Sequence, residues 1–398
     1  MVDLLLKNGL IIDPSQGMHT QGSVAVKDGL IASVGDAAAA DEPAMVYDLE
    51  GKIVVPGLID IHCHPGEGLS WLGVPADEIG LESGVTLLCD GGTAGASNFE
   101  TLRRFIIDPA KTDILCFLNL ANTGLVSIPE IWCEQNIDLA AGLDVMEANR
   151  DVIKGVKVRA IEPLAEGVGI KAIEMAKGLA TRAGMPLMVH VGETRSRVPP
   201  DKMDDFSRAT VSMMETGDIL SHYLTWEPGG MILPDGTVYP ELEAAQKRGV
   251  VLDSCHGLNH FSFPIARLAI EMGFIPTVIS SDMATIVRPA AQSLAVVMSK
   301  FLNMGLSLDQ VIEMTTVNPA KALGEEDKRG SLKPGMMKPG MRADITILEL
   351  REGNYVFCDG TGGNRMNGTL LLEPEMVFRR GVAMPAFSGY HIPPVYAI

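Results

Sequence analysis

The sequence predicts an α/β protein: a (β/α)8 barrel with a small β-sandwich domain built from both ends of the chain. Three observations support this fold class. Apolar runs separated by NG and DG turns occupy the first fifty-odd residues, which is typical of β-hairpins. Similar runs return near the C-terminus. Between them, Val-, Ile- and Leu-rich segments alternate with helical stretches, as in a buried parallel sheet with crossover helices.

The two terminal segments are predicted to form one domain. Each of them would expose an apolar face if it folded alone, and packing them together buries both faces. We therefore expect the sandwich to comprise residues 1–55 and 339–398, with the barrel at 56–338 between them.

The middle of the chain contains eight candidate strands. They lie at 58–64, 85–90, 113–120, 152–160, 186–192, 219–223, 250–256 and 277–282. Predicted helices at 170–184 and 240–249 each end at glycine, a frequent residue just beyond a helix. Eight strands fit a closed barrel better than an open doubly wound sheet, and 398 residues allow a barrel plus one smaller domain.

Composition excludes several classes of protein. A formal net charge of −18 argues against a nucleic-acid-binding surface. No apolar run is long enough to span a bilayer, and the N-terminus lacks the pattern of a signal peptide. The six cysteines form no CxxC pair, which suits a reducing compartment. We expect a soluble, cytoplasmic protein with no nucleic-acid or membrane partner.

Residues that could bind metal occur at the C-terminal ends of predicted strands. His62 and His64 are two residues apart on the first barrel strand, so their side chains point to the same side. His190, His222 and Asp282 end three later strands. In a barrel these ends meet at one face, where active sites lie. Imidazole and carboxylate ligands suit zinc and similar ions.

Two lysines lie within the fourth predicted barrel strand, DVIKGVKVRA. Lys154 and Lys157 are both surrounded by apolar residues in sequence. A buried lysine is easily kept neutral, and a neutral amine can take up carbon dioxide to form a carbamate, which could bridge two cations. Either lysine could instead extend its ammonium group to water, so the strand alone does not choose between these interpretations.

The ordered motifs resemble the binuclear branch of the amidohydrolase superfamily, which includes dihydroorotases, hydantoinases, D-aminoacylases and related deacetylases. PGLIDIHCH is similar to the first-strand signature, and GVKV to the segment around the carbamylated lysine. MVHVGE, LSHY and ISSDM resemble the later metal-binding strand ends. TTVNPAKALG and MRADITIL resemble the closing helix and the return to the β-sandwich. The resemblance covers essentially the whole chain.

The resemblance implies a site with two divalent ions, expected to be zinc. In such a site, His62 and His64 hold one ion and His190 and His222 hold the other. The carbamylated side chain of Lys157 bridges the two ions. We prefer Lys157 to Lys154 because the lysine of this branch follows a Gly-apolar pair, as Gly155-Val156 precedes it here. Asp282 is implied to bind the first ion and to serve as the catalytic acid/base.

The chain departs from the family pattern in two places. KPGM occurs twice, at 333–336 and 338–341, which puts the domain boundary in doubt but should be tolerated in a surface loop. The arginine that follows the HxH motif of dihydroorotases is absent, since Pro65 and Gly66 follow His64. This second departure weakens a strict dihydroorotase assignment.

Residues near the predicted rim have less certain roles. Arg159 could bind a substrate carboxylate, because its planar fork fits that group, or pair with a nearby acid. His256 could contact substrate or brace its own loop, and His260 is assigned a structural role. Cys63 should face away from the ligands. Cys255 and His256 should point to opposite sides of their strand, which argues against a Cys/His nucleophilic pair.

The resulting expectation is a homo-oligomeric enzyme that hydrolyses an amide or ester bond in a small acylated substrate, in the manner of a deacetylase or aminoacylase. A metal-bridging hydroxide would attack the carbonyl, with Asp282 as acid/base. A cyclic amide hydrolase, resembling dihydroorotase or hydantoinase, is the alternative within this class. A catalytically inactive metal-binding barrel that acts as a scaffold is the alternative outside it.

Overall fold

Fifteen strands form two sheets in the computed structural model, which describes residues 1–40, 42–193, 198–334, 340–360, 363–387 and 389–390. In chain order the strands are β1 (Val2–Asp13), β2 (Met18–Lys27), β3 (Leu30–Gly35), β4 (Pro43–Asp48), β5 (Ile53–Pro56), β6 (Leu58–Cys63), β7 (Val85–Asp90), β8 (Asp113–Asn119), β9 (Ile153–Arg159), β10 (Leu187–His190), β11 (Ile219–Ser221), β12 (Val251–Asp253), β13 (Ile345–Cys358), β14 (Arg365–Arg379) and β15 (Val382–Pro385).

The α-helices lie mostly between the strands of the middle region. They are α1 (Ala76–Ile79), α2 (Phe99–Leu102), α3 (Leu139–Ala148), α4 (Glu162–Glu166), α5 (Ile170–Ala183), α6 (Pro200–Ser212), α7 (Pro240–Arg248), α8 (Phe263–Glu271), α9 (Arg288–Ala291), α10 (Leu294–Asn303), α11 (Leu308–Glu313) and α12 (Val317–Ala322). The two helices predicted from sequence, α5 and α7, each end before a glycine with positive φ, as expected for a left-handed helix end. In the part of the chain that the structure describes, no helix is long and apolar enough to cross a membrane.

The strands of both chain ends belong to one sheet, with the order β15-β14-β13-β5-β1-β2-β3 and β4 paired to β1. The two ends are joined by the antiparallel pair of β13 with β5 and by an antiparallel bridge between Leu30 and Arg342. Apolar residues from both ends, including Leu6, Val24, Ile345 and Phe378, pack in one buried cluster. A separate, mostly-β domain built from both termini is therefore confirmed, although its strands are hydrogen-bonded into one continuous sheet.

The second sheet holds seven parallel strands, β6 to β12, in sequence order. Residues 277–283 make single parallel bridges to both of its edges, through Val278 to Asp253 and through Met283 to Cys63. This curled parallel sheet fits a (β/α)8 barrel. The predicted eighth strand at 277–282 is a bridged segment rather than a regular strand, because Ser280 and Ser281 hydrogen-bond through their side chains to Asp253 and Asp60 and Asp282 has a positive φ of 52°.

Of the two predicted domain boundaries, only the one at residue 55 lies among the residues that the structure describes. The boundary at residue 55 lies within β5, which is hydrogen-bonded in the terminal sheet. The boundary at 338 and most of the repeated KPGM segment lie outside the described residues.

Candidate metal centre

Residues at the carboxyl ends of the parallel strands meet at one end of the curled sheet. His62 lies at the end of β6, with His64 directly after it, and His190 ends β10. His222 follows β11 with a positive φ of 68°. All carboxyl ends of parallel strands lie at the same rim, so these side chains converge from distant parts of the sequence.

The closest group contains one donor atom each from His62, His222, Cys255 and Asp282. These four atoms all lie within 4.8 Å of one another. Asp282 Oδ1 is 3.1 Å from His64 Nε2, and its Oδ2 is 4.0 Å from His222 Nε2. The ring centroids of His190 and His222 are 4.2 Å apart. The structure thus brings all four histidines that the sequence predicts as ligands, and Asp282, into one cluster.

Neighbouring polar groups hold these imidazole rings in place. Nδ1 of His62 lies 3.3 Å from Asp253 Oδ2, and Nδ1 of His64 lies 2.9 Å from the Thr93 hydroxyl. Nδ1 of His222 donates a 2.8 Å hydrogen bond to the carbonyl of Cys255. In each of these three rings the outer nitrogen is engaged, which leaves Nε2 facing the cluster, as in the second shell of metal sites.

His190 has the opposite orientation. Its Nε2 donates to the carbonyl of Gly192 at 3.3 Å, which leaves Nδ1 available to the cluster.

Burial sets the protonation of the histidines. It lowers the pKa of His62, His190 and His222 well below the ordinary value, because a charged imidazole loses its hydration there. The rings are consequently neutral at neutral pH, the form in which histidine binds metal. Burial raises the pKa of Asp282, but His64, His222 and His62 outweigh this effect and hold the pKa below its usual range.

The structure separates the two lysines of β9. Lys157 is 1% exposed, and its Nζ lies 2.8 Å from His62 Nε2. Burial lowers the pKa of Lys157, which favours the neutral amine that carbamate formation requires. Lys154 instead donates a 2.7 Å bond to Glu325 Oε1. Of these two lysines, only Lys157 therefore lies at the cluster.

The cluster fits a metal ion on its own chemistry. His222 Nε2 is buried and has no hydrogen-bond partner among the described residues. Burying an unpaired nitrogen costs free energy unless a hydrogen-bond donor or a metal ion binds its lone pair. Nitrogen, sulfur and carboxylate oxygen are the donor atoms that zinc prefers in proteins. A bound divalent ion would supply the missing partner.

A cavity of about 510 Å³ opens above this cluster. Its floor includes His62, His64, Lys157, His190 and Asp282. Its lining is largely apolar and includes Trp71, Leu125, Ile128, Trp132, Leu258 and Ile286. Trp71 and Trp132 are exposed. Such a cavity suits a small substrate with an apolar part.

Arg159 lines the same cavity, as the sequence predicts for a substrate-binding residue. Its Nη1 lies 3.3 Å from Glu130 Oε2. Arg159 therefore also pairs with a nearby acid, which is the alternative role that the sequence allows. The ion pair fixes the guanidinium at the wall of the cavity, and the two interpretations are compatible.

His256 is fully buried and is not among the residues that line the cavity. Its Nδ1 donates to the Gly257 carbonyl at 2.7 Å, and its Nε2 lies 2.6 Å from Nζ of Lys300. Lys300 also donates to the carbonyls of Ala290 and Cys358. With both ring nitrogens occupied, the geometry supports the bracing role for His256 rather than a contact with substrate.

Two residues, His260 and Cys255, lie closer to the site than the sequence predicts. His260 was assigned a structural role, yet it lines the cavity, with its ring centroid 4.5 Å from that of His190. It lies in a loop, where no strand periodicity indicates its direction. Cys255 joins the cluster although it lies two residues beyond β12, whereas His256 does not line the cavity. A rule of opposite faces was correct, but it did not say which residue faced the site.

The fold and the cluster define a class of hydrolase with histidine-, lysine- and aspartate-bearing strand ends, and comparisons with known proteins agree. The amidohydrolase family matches residues 53–381. The chain belongs to the amidohydrolase family, whose members use divalent metal ions and act on small-molecule substrates.

Three individual proteins are similar to this chain over most of its length. A deacetylase of Brucella anthropi is 34% identical over 88% of this chain and 84% of its own length. A deacetylase of Agrobacterium fabrum is 32% identical over 84% of this chain and 80% of its own. A crystal structure described as a dihydroorotase has a TM-score of 0.86 and 30% identity, and covers 99% of this chain and 100% of that one.

Proposed function

We propose that this protein is a binuclear metal-dependent hydrolase that removes an acyl group, such as acetyl, from a small substrate. The observation that carries the proposal is the cluster that lines the cavity, where His62, His64, His190, Asp282 and the buried Lys157 meet. The two deacetylases among the relatives support the choice of an acyl group.

In this proposal, His62 and His64 would hold one ion, His190 and His222 would hold the other, and carbamylated Lys157 would contribute a ligand to both. The ions, expected to be zinc, would lower the pKa of water and polarise the scissile carbonyl. Asp282 would bind the first ion, accept the proton that the attacking water loses, and return it to the leaving group. Asp253 and Thr93 would keep the rings of His62 and His64 oriented during these steps.

Substrate recognition is proposed for the cavity walls. Arg159 would bind a carboxylate of the substrate, since the guanidinium faces the cavity and is steadied by Glu130. The apolar walls around Trp71 and Trp132 would cover the rest of the molecule. An acylated amino or hydroxy acid combines these two features.

A cyclic amide hydrolase is the second candidate, and the similar structure described as a dihydroorotase favours it. Pro65 and Gly66 stand where the dihydroorotase motif has its arginine, which argues against that activity. A metal-binding scaffold without catalysis would not require a cavity of about 510 Å³ beside the ligands.

The test is an assay of released acetate with zinc-loaded and chelator-treated protein, using N-acetyl amino acids and O-acetyl hydroxy acids as substrates. We expect acetate release by the zinc-loaded protein and its loss after chelation. Ring opening of dihydroorotate or a hydantoin, without deacetylation, would favour the second candidate. Zinc binding without hydrolysis of either group would favour the scaffold.

The finer fold assignments are also proposals. Residues 56–338 would form a closed (β/α)8 barrel, with the bridged segment at 277–283 as its eighth element. Residues 1–55 and 339–398 would form the terminal domain. A cytoplasmic location and a homo-oligomer stay predictions.

A further inference from the structure

Cys255 is the one member of the close donor group that the family pattern does not explain. It lies two residues after the end of β12, and its side chain is fully buried. Its backbone φ is positive, at 33°, a conformation that non-glycine residues seldom adopt without a local reason.

The position of the sulfur relative to the other donors is what a ligand requires. Sγ of Cys255 lies within 4.8 Å of donor atoms from His62, His222 and Asp282. Donors around a tetrahedral zinc ion lie roughly 3.3–3.6 Å apart, given the usual zinc–nitrogen and zinc–sulfur distances. The Cys255 sulfur is therefore within about an ångström of the spacing at which it and a neighbouring donor would share an ion.

A second observation points to a ligand at the same place. Nε2 of His222 lies 4.0 Å from Asp282 Oδ2, is fully buried, and has no hydrogen-bond partner in the described part of the chain. The same histidine is tied to Cys255 through the backbone, since its Nδ1 donates to the Cys255 carbonyl. The loop at Cys255 thus both orients one ligand and presents a sulfur beside it.

We propose that Cys255 is a metal ligand, and that its thiolate would bind the ion that His222 holds, on the side of that ion that faces His62 and Asp282. The thiol proton would be released to solvent as the metal–sulfur bond forms, because coordinating thiols are deprotonated. A sulfur ligand would make the centre favour zinc and other thiophilic ions over magnesium, manganese or calcium. This inference rests on the proposed metal centre.

Cobalt substitution tests the inference optically. The cobalt-loaded protein should show a near-ultraviolet thiolate-to-cobalt charge-transfer band, and Cys255→Ser should lose it. Cys116→Ser is the matched control, because Cys116 is also buried in the parallel sheet but its sulfur faces the Val152 carbonyl. The band should survive there. A band of equal strength in Cys255→Ser would overturn the proposal.

X-ray absorption of the zinc-loaded native protein gives an answer that does not depend on a variant folding. A sulfur scatterer at about 2.3 Å from zinc is expected, in addition to nitrogen and oxygen at about 2.0–2.2 Å. Bound zinc with only nitrogen and oxygen neighbours would contradict the role of Cys255 and leave the proposed hydrolase intact. Failure to bind zinc at all would contradict the proposed function itself.

Discussion

Replacing Lys157 with alanine is expected to lower hydrolysis by more than about 100-fold, beyond the effect of removing an outer-shell partner of a metal site. The variant would lose the amine that is proposed to carry the carbamate and would leave the two ions without a bridge. Bound metal should therefore fall with activity, measured by elemental analysis of the purified variant. Acetate or another short carboxylate should restore part of the activity by standing in for the carbamate.

Lys154→Ala is the matched control, since Lys154 lies on the same strand three residues earlier. Its partner Glu325 keeps contacts with Lys328 and Arg329, so we expect lower thermal stability with metal content and turnover close to those of the native protein. An inactive Lys154→Ala, or a Lys157→Ala variant that retains both ions and its rate, would contradict the carbamate assignment.

Asp282→Asn is expected to lower hydrolysis by about 10²–10⁴-fold, the usual contribution of a general acid/base. Asparagine keeps the size and one oxygen ligand, and it tolerates the positive φ found at this position. Metal binding should largely survive while proton transfer is lost. Rate and metal content are measured on the same preparation, and near-native turnover with both ions bound would remove Asp282 from the mechanism.

The variant Asp253→Asn distinguishes a residue that orients a metal ligand from a residue that transfers a proton. Asp253 is buried behind His62 and also accepts hydrogen bonds from Ser221 and Ser280. Losing its charge should weaken metal affinity roughly 10- to 100-fold, as for other second-shell partners, and metal saturation should restore most of the rate. Saturation should not restore Asp282→Asn.

Much of the fold could be predicted because buried parallel strands have a simple composition. VTLLCD predicted residues 85–90, and β7 has the same bounds. The eighth segment was harder to predict, since only Val278 and Ile279 are apolar. Ser280 and Ser281 follow them, and their side chains replace regular pairing with hydrogen bonds to Asp253 and Asp60. Competition of this kind depends on residues far away in sequence.

The candidate site, like the fold, could be predicted only in part. Period-two alternation placed His62 and His64 on one side, and the structure brings both to the cluster. The same alternation could not decide which of Cys255 and His256 faces inward, because strand β12 ends at Asp253 and the chain then turns. The buried partner of His256, Lys300, lies in the apolar helix α10, a pairing that no local pattern indicates.

The most direct test of a two-ion hydrolase is a stoichiometric titration of metal-free protein with zinc in the presence of bicarbonate, following hydrolysis of an acetylated substrate. The proposed centre predicts that activity rises until two equivalents of zinc per chain are bound and then stays constant. Full activity at one equivalent, with no further change on binding a second, would contradict it.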